Sequence, residues 1–211
     1  MVILKIKHFT VGQFLTRSYI ISENNNAMII DPGGDGEKLY KYLENNQLNL
    51  KIIINTHAHF DHIGANKFLQ EKTNAEIYIH PNEASKLQSA DLNLSKFFTN
   101  NGVISPSADK FLEEGDIIEF ESLQFEVIHT PGHSSGGIAL YLAQEDIIFV
   151  GDTIFSNGIG RTDIKDSDFE LLKKTIENKI LSLPEQTEFF SGHGPRGYIK
   201  DFKENVWPKM V

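Results

Sequence analysis

Apolar and polar residues alternate through ILKIKHF (3–9), as they do in a strand with one face in a core and the other in water. Further short β-like runs follow in SYIIS (18–22) and AMIID (27–31), and KIIIN (51–55) reads as a buried strand. The turn cluster DPGGDG (31–36) leads into EKLYKYLEN (37–45), which sets Leu39, Tyr42 and Leu43 on one helical face. IGANKFLQEK (63–72) has helical spacing and EIYIH (76–80) that of a strand. The stretch 81–110 is the least regular, with a helix near 82–89 and then loop.

The second half repeats this style. IIEFE (117–121) and FEVIH (125–129) form a hairpin pattern, followed by IALYL (138–142) and DIIFV (146–150). A helix is predicted over 168–181, entered through a capping box of Ser167 with Glu170. TEFF (187–190) is a further strand and RGYIKDFKENV (196–206) a last helix. Strands alternating with helices in two similar halves imply a layered α/β protein. With no linker and no low-complexity segment in its 211 residues, the expectation is one domain over 1–211.

Composition narrows the chemistry. The chain has no cysteine, which excludes disulfides and thiolate metal ligands, so a metal here must be held by nitrogen and oxygen. A net charge of −9, without a dense run of Lys and Arg, counts against a nucleic-acid partner. Lys5 and Lys7 interrupt the apolar start, and no apolar run reaches the ~20 residues of a membrane span. The expectation is a cytoplasmic protein acting on a small molecule, away from membranes.

THAHFDH (56–62) directly follows the strand pattern KIIIN and puts four ionisable side chains on one turn. Imidazole and carboxylate are costly to bury without partners, and a bound cation would satisfy all four. Later strands end the same way. FEVI runs into HTPGH and reaches His133, DIIFV runs into GD and reaches Asp152, and TEFF runs into SGHGP and reaches His193. With His57, His59, Asp61 and His62 these make seven potential ligands, each just past an apolar strand, where α/β folds gather functional groups. Seven donors exceed what one four-coordinate ion uses and suit two ions sharing a bridging carboxylate. His57 and His59 alternate along extended backbone and project to one side, whereas Asp61 and His62 open the next helix and serve the neighbouring ion.

HAHFDH resembles the HxHxDH motif of the metallo-β-lactamase superfamily, and the later His, Asp and His follow in that family's order. HTPGHSSGG (129–137), GDTIFSNGIGRTD (151–163) and SGHGP (191–195) are similar to segments of its short, glyoxalase II-like hydrolases. The resemblance implies a four-layer αββα sandwich. It assigns His57, His59 and His133 to a first metal and Asp61, His62 and His193 to a second. Asp152 would bridge, and Asp61 and Asp152 would be the catalytic carboxylates. Two divalent ions are implied, zinc first, with iron and manganese also suited to these donors. The implied reaction is hydrolysis of a thioester such as S-lactoylglutathione by a metal-held hydroxide, since coordination lowers the pKa of water from 15.7 to about 7. A thiolate leaves readily, so no strong general acid is needed. Long glyoxalase II enzymes continue into a helical glutathione-binding domain. Only residues 194–211 follow His193, so that domain is expected to be missing.

Other residues carry plainer readings. His8 and His80 are expected to be structural, His129 a supporting or packing residue, and Phe60 packing. Arg161 is expected to pair with Asp163, and the glycines of SNGIGRTD to shape a loop beside the metals rather than cradle a phosphate, since no P-loop lysine accompanies them. Rival activities within the same superfamily are a mononuclear iron persulfide dioxygenase, a lactonase or β-lactam hydrolase, and a phosphodiesterase. A non-catalytic metal-binding module fits less well. β-Lactamases that need a cysteine ligand are excluded, and His59 stands where the flavodiiron branch has glutamate.

Overall fold

A computed structural model describes residues 4–210, so Ile3 of the first predicted strand lies outside the described residues. The chain divides into two compact units with the boundary between Leu112 and Glu113.

The first unit holds a six-stranded sheet in sequence order: Lys5–Val11, Thr16–Glu23, Asn26–Ile30, Asn49–Ile54, Glu76–Ile79 and Lys110–Phe111. The first three strands are antiparallel and the rest parallel, because helical crossovers replace the tight turns. Helix Gly36–Asn45 buries Leu39 and Leu43, one turn apart, and helix Asn66–Thr73 buries Leu69. They share a core with Ile29, Ile53 and Ile77, a cross-strand row on one face of the sheet. Ile52 and Ile54, on the opposite face, are buried as well.

The second unit holds another six-stranded sheet. Its spatial order is Gly197–Tyr198, Glu188–Ser191, Ile147–Gly151, Ile138–Leu142, Leu123–His129 and Ile117–Phe120. Only Ile147–Gly151 and Glu188–Ser191 pair in parallel. Leu172, Ile176 and Ile180 pack with Ile148, Val150, Phe189, Phe202 and Trp207 in the core of this unit.

Three local departures from the sequence reading have a clear physical cause. The helix after the histidine motif comes in two pieces, Phe60–Ile63 and Asn66–Thr73. The break falls at Gly64, where a Cβ would lie 2.3 Å from the Gly33 carbonyl oxygen. The helix Phe169–Thr175 is capped by Asp168, whose carboxylate accepts from Leu171 N–H at 2.9 Å, and not by Ser167. The Ser167 hydroxyl instead donates to the Ile164 carbonyl. The last helix starts at Ile199, because Gly197 and Tyr198 pair with the strand Glu188–Ser191. A Cβ on Gly197 would sit 2.6 Å from the Phe189 ring, so a larger residue there would have to displace that ring. Among the described residues no helix is long and apolar enough to cross a membrane.

Candidate metal centre

In the first unit, parallel pairing brings two strand ends side by side. Asp31 follows Asn26–Ile30 and donates its N–H to the Ile54 carbonyl at 2.9 Å, extending the ladder into the motif loop. Its φ of +51° lies in the left-handed region, which Asp and Asn tolerate better than other side chains. The Asp31 carboxylate is buried and accepts three hydrogen bonds. Oδ1 takes Thr56 N–H at 2.7 Å, while Oδ2 takes the Thr56 hydroxyl at 2.6 Å and His62 Nδ1 at 3.0 Å. The single proton of the Thr56 hydroxyl is thus committed to Asp31. Its 3.2 Å contact with His57 Nδ1 must run the other way, with the imidazole N–H donating. The network therefore assigns the proton of both His57 and His62 to Nδ1, leaving each Nε2 as the nitrogen with a lone pair.

His57, His59 and His62 are all buried, and their rings cluster, His57 lying 4.6 Å from His59 and 4.1 Å from His62 between centroids. Three buried imidazoles in contact gather nitrogen donors of the kind that a divalent cation binds. Asp61, in the short helix Phe60–Ile63, accepts from the Thr16 hydroxyl at 3.0 Å, and its Oδ2 lies 3.8 Å from His62 Nε2. The glycines of DPGGDG make this possible. A Cβ on Gly33 would lie 1.6 Å from the Asp61 carbonyl oxygen, so the turn and the motif helix approach more closely than any side chain allows.

In the second unit, Asp152 and His193 follow the two parallel strands, and the Gly192 N–H donates to the Gly151 carbonyl at 2.7 Å to keep their ends in register. Leu123–His129 runs the same way as Ile147–Gly151, with one antiparallel strand between them, so His133 emerges at the same edge. Its Nδ1 is 2.9 Å from the Arg161 carbonyl oxygen, which can only accept, so Nδ1 carries the proton here too. One oxygen, Asp152 Oδ2, lies 3.7 Å from His133 Nε2 and 3.5 Å from His193 Nε2. These gaps are too long for good hydrogen bonds. Two donors on a tetrahedral zinc, each about 2.1 Å from it, stand roughly 3.4 Å apart, which is the spacing seen. Gly160 packs against this corner, since a Cβ there would lie 2.0 Å from the Asp152 carbonyl oxygen and 3.0 Å from His133.

A model of the metallo-beta-lactamase superfamily matches residues 11–193. The chain belongs to that superfamily. It is 37% identical over 185 residues, 84% of each chain, to the hydroxyacylglutathione hydrolase GloC of Haemophilus influenzae. The crystal structure of BLEG-1 B3 metallo-beta-lactamase superposes with a TM-score of 0.92 at 37% identity, over 96% of this chain and 98% of that one. TTHA1623 in a di-iron-bound form gives a TM-score of 0.85 at 31% identity, over 95% and 98%. The fold is therefore the α/β metallo-β-lactamase fold that the motifs implied, and the chain is a metallo-hydrolase of that superfamily with a His/Asp donor set suited to divalent metals.

The seven donors read from the sequence stand as four in the first unit and three in the second. Sequence reasoning missed Asp31, Thr56 and Thr16, which orient them. Asp31 did carry a signal, being a carboxylate just past an apolar run, as Asp152 is. The plainer readings of His80, His129, Phe60 and Arg161 agree with their local contacts. His80 Nδ1 accepts from Asn82 N–H, and His129 Nε2 contacts the Ser135 carbonyl. Phe60 stacks on Phe98 at 5.3 Å. Arg161 grips Asp163 through two bonds of 2.8 and 2.9 Å, which holds the Asp163 carboxyl below its ordinary range and pushes the guanidinium up.

Proposed function

We propose that the two half-sets together hold two divalent ions and that the protein hydrolyses thioesters of the hydroxyacylglutathione kind. In this reading His57, His59 and His133 hold one ion, Asp61, His62 and His193 the other, and Asp152 bridges. The observation that carries it is the placement of Asp152 Oδ2 between the Nε2 atoms of His133 and His193, the donors assigned to opposite ions. The proton placement on His57, His62 and His133 agrees, since each presents Nε2 as a ready donor. Histidine and carboxylate suit zinc, iron and manganese, so zinc stays the first candidate and the related di-iron-bound protein supports iron as the second.

Two such ions supply an activated water at neutral pH and a Lewis acid for the substrate carbonyl. The chain's own residues do the rest. Asp31 and Thr56 keep the imidazole protons on Nδ1, Thr16 orients Asp61, and the Arg161 carbonyl fixes the His133 ring. A thiolate leaving group needs no strong acid, in keeping with a donor set spent on metal. The likeness to GloC supports a glutathione thioester, and that to BLEG-1 supports β-lactam hydrolysis as a second reading. We propose a small-molecule substrate and a cytoplasmic location as well. The test is initial rates on S-lactoylglutathione, other thioesters, lactones, a β-lactam and bis-p-nitrophenyl phosphate. Thioesters should lead; a dominant β-lactam or phosphodiester rate would replace this reading, as would one iron per chain with oxygen consumed on persulfide.

A further inference from the structure

Glu83 ends the short turn Pro81–Glu83 and is fully buried. Its carboxylate ties the histidine motif to the segment that follows the turn. Oε2 accepts the N–H of Ala58, between the ligand histidines His57 and His59, at 2.9 Å, and Oε1 accepts from Lys86 Nζ at 2.6 Å. Lys86 is itself buried. On the far side of His59, the Phe60 N–H donates to the Asn93 carbonyl at 3.0 Å. Asn93 is in turn tied down, its Nδ2 donating to the carbonyls of Lys86 and Val103 at 3.2 and 2.8 Å.

The N–H of Ala58 belongs to the peptide unit that follows His57, and that of Phe60 to the unit that follows His59. Fixing a peptide unit fixes ψ of the residue before it, so the segment 83–93 sets the backbone at both histidines. A buried ion pair is weak evidence for stability, because well-packed apolar residues of similar volume often do as well or better. A carboxylate does something an apolar residue does not: it makes a strong, directional bond to an amide.

We propose that Glu83, backed by Lys86, is a positioning residue that presets the spacing of His57 and His59 before a metal arrives. The proposal rests on the reading of those histidines as ligands of one ion. Its expected signature is a loss of metal affinity without a matching loss of fold. E83L/K86M removes both members of the pair, so neither charge is left buried without the other. E83Q/K86M keeps an acceptor for the Ala58 N–H.

The experiment measures zinc affinity of the full chain by chelator competition, alongside urea unfolding of the metal-free protein. E83L/K86M should unfold near the wild-type midpoint yet bind zinc about 10- to 100-fold more weakly, the usual effect of losing a group that orients ligands. E83Q/K86M should stay close to wild type. Wild-type affinity in folded E83L/K86M, or an equal loss in both variants, would overturn the proposal. Amide exchange in the metal-free wild-type chain tests it without any substitution: the Ala58 N–H should be protected, and rapid exchange would refute a preset loop. A wild-type chain that took up no zinc would instead defeat the underlying reading of the metal centre.

Discussion

Asp31→Asn isolates the effect of one buried oxygen. Asn tolerates the left-handed φ of +51° found at this position, so the backbone has no reason to move. The amide oxygen must stay against Thr56 N–H, where Oδ1 now accepts at 2.7 Å, because the NH2 group would set donor against donor. The NH2 then replaces Oδ2 and faces His62 Nδ1 at about the present 3.0 Å. It can only donate, so the His62 proton moves to Nε2 and that nitrogen ceases to be a ligand. The same NH2 meets the Thr56 hydroxyl, which loses its acceptor and with it the reason to receive the His57 N–H. Both histidines are therefore disturbed by one substitution. Losing a group that orients a metal ligand typically costs 10- to 100-fold in affinity, or roughly 1.4 to 2.8 kcal/mol. Chelator competition reads that loss, and urea unfolding of the metal-free variant shows that the fold persists. A folded D31N that bound both metal equivalents with wild-type affinity would refute the proton assignment.

Gly33→Ala should be among the most damaging small substitutions in the first unit, since the new methyl would lie 1.6 Å from the Asp61 carbonyl oxygen. We expect a loss of about 3 kcal/mol or more in urea unfolding, at the upper end for overpacking, and a wild-type midpoint would contradict the close approach. Arg161→Ala should leave both the unfolding midpoint and metal content unchanged, because its side chain forms an exposed pair and only its backbone carbonyl touches His133. A clear fall in metal content would show a further role for the guanidinium. Burial pushes the Glu114 carboxyl up, but Lys179 and the His129 N–H outweigh it and hold it below its ordinary value of 4.5. A depressed carboxyl adds stability that is present above the unfolded value and lost as pH falls through the lower folded one. Stability of wild type relative to E114Q should thus be flat near neutrality and shrink only below about pH 4.5; a gap that widened on acidification would reverse the sign.

How much of this was legible beforehand follows from which forces leave a periodic trace. Strands such as Ile138–Leu142 did, because alternation and apolar runs are imposed by the core they enter. The seven donors did, because each sits one loop past such a run. Asp31 shares that position, but the turn DPGG already gave it a sufficient explanation. Thr16 and Thr56 left no trace, since a hydroxyl that orients a ligand has no spacing of its own. Glu83 reads as one more acid at the start of a helix, and only the fold reveals that it is buried. The cap at Asp168 was missed by one residue because Ser167 is an equally good capping type. The choice falls to Asp168, whose extended backbone, φ −150° and ψ 117°, turns its carboxylate onto the helix. The break at Gly64 came from a tertiary contact with Gly33, which no local window contains.

The paired-ion centre is tested most directly by counting metal in the purified, metal-replete chain beside its Asp152→Ala variant. Wild type should hold about two ions per chain, and the variant, lacking the shared carboxylate, should lose both. A wild-type chain holding a single ion, or a variant that keeps two, would contradict the account.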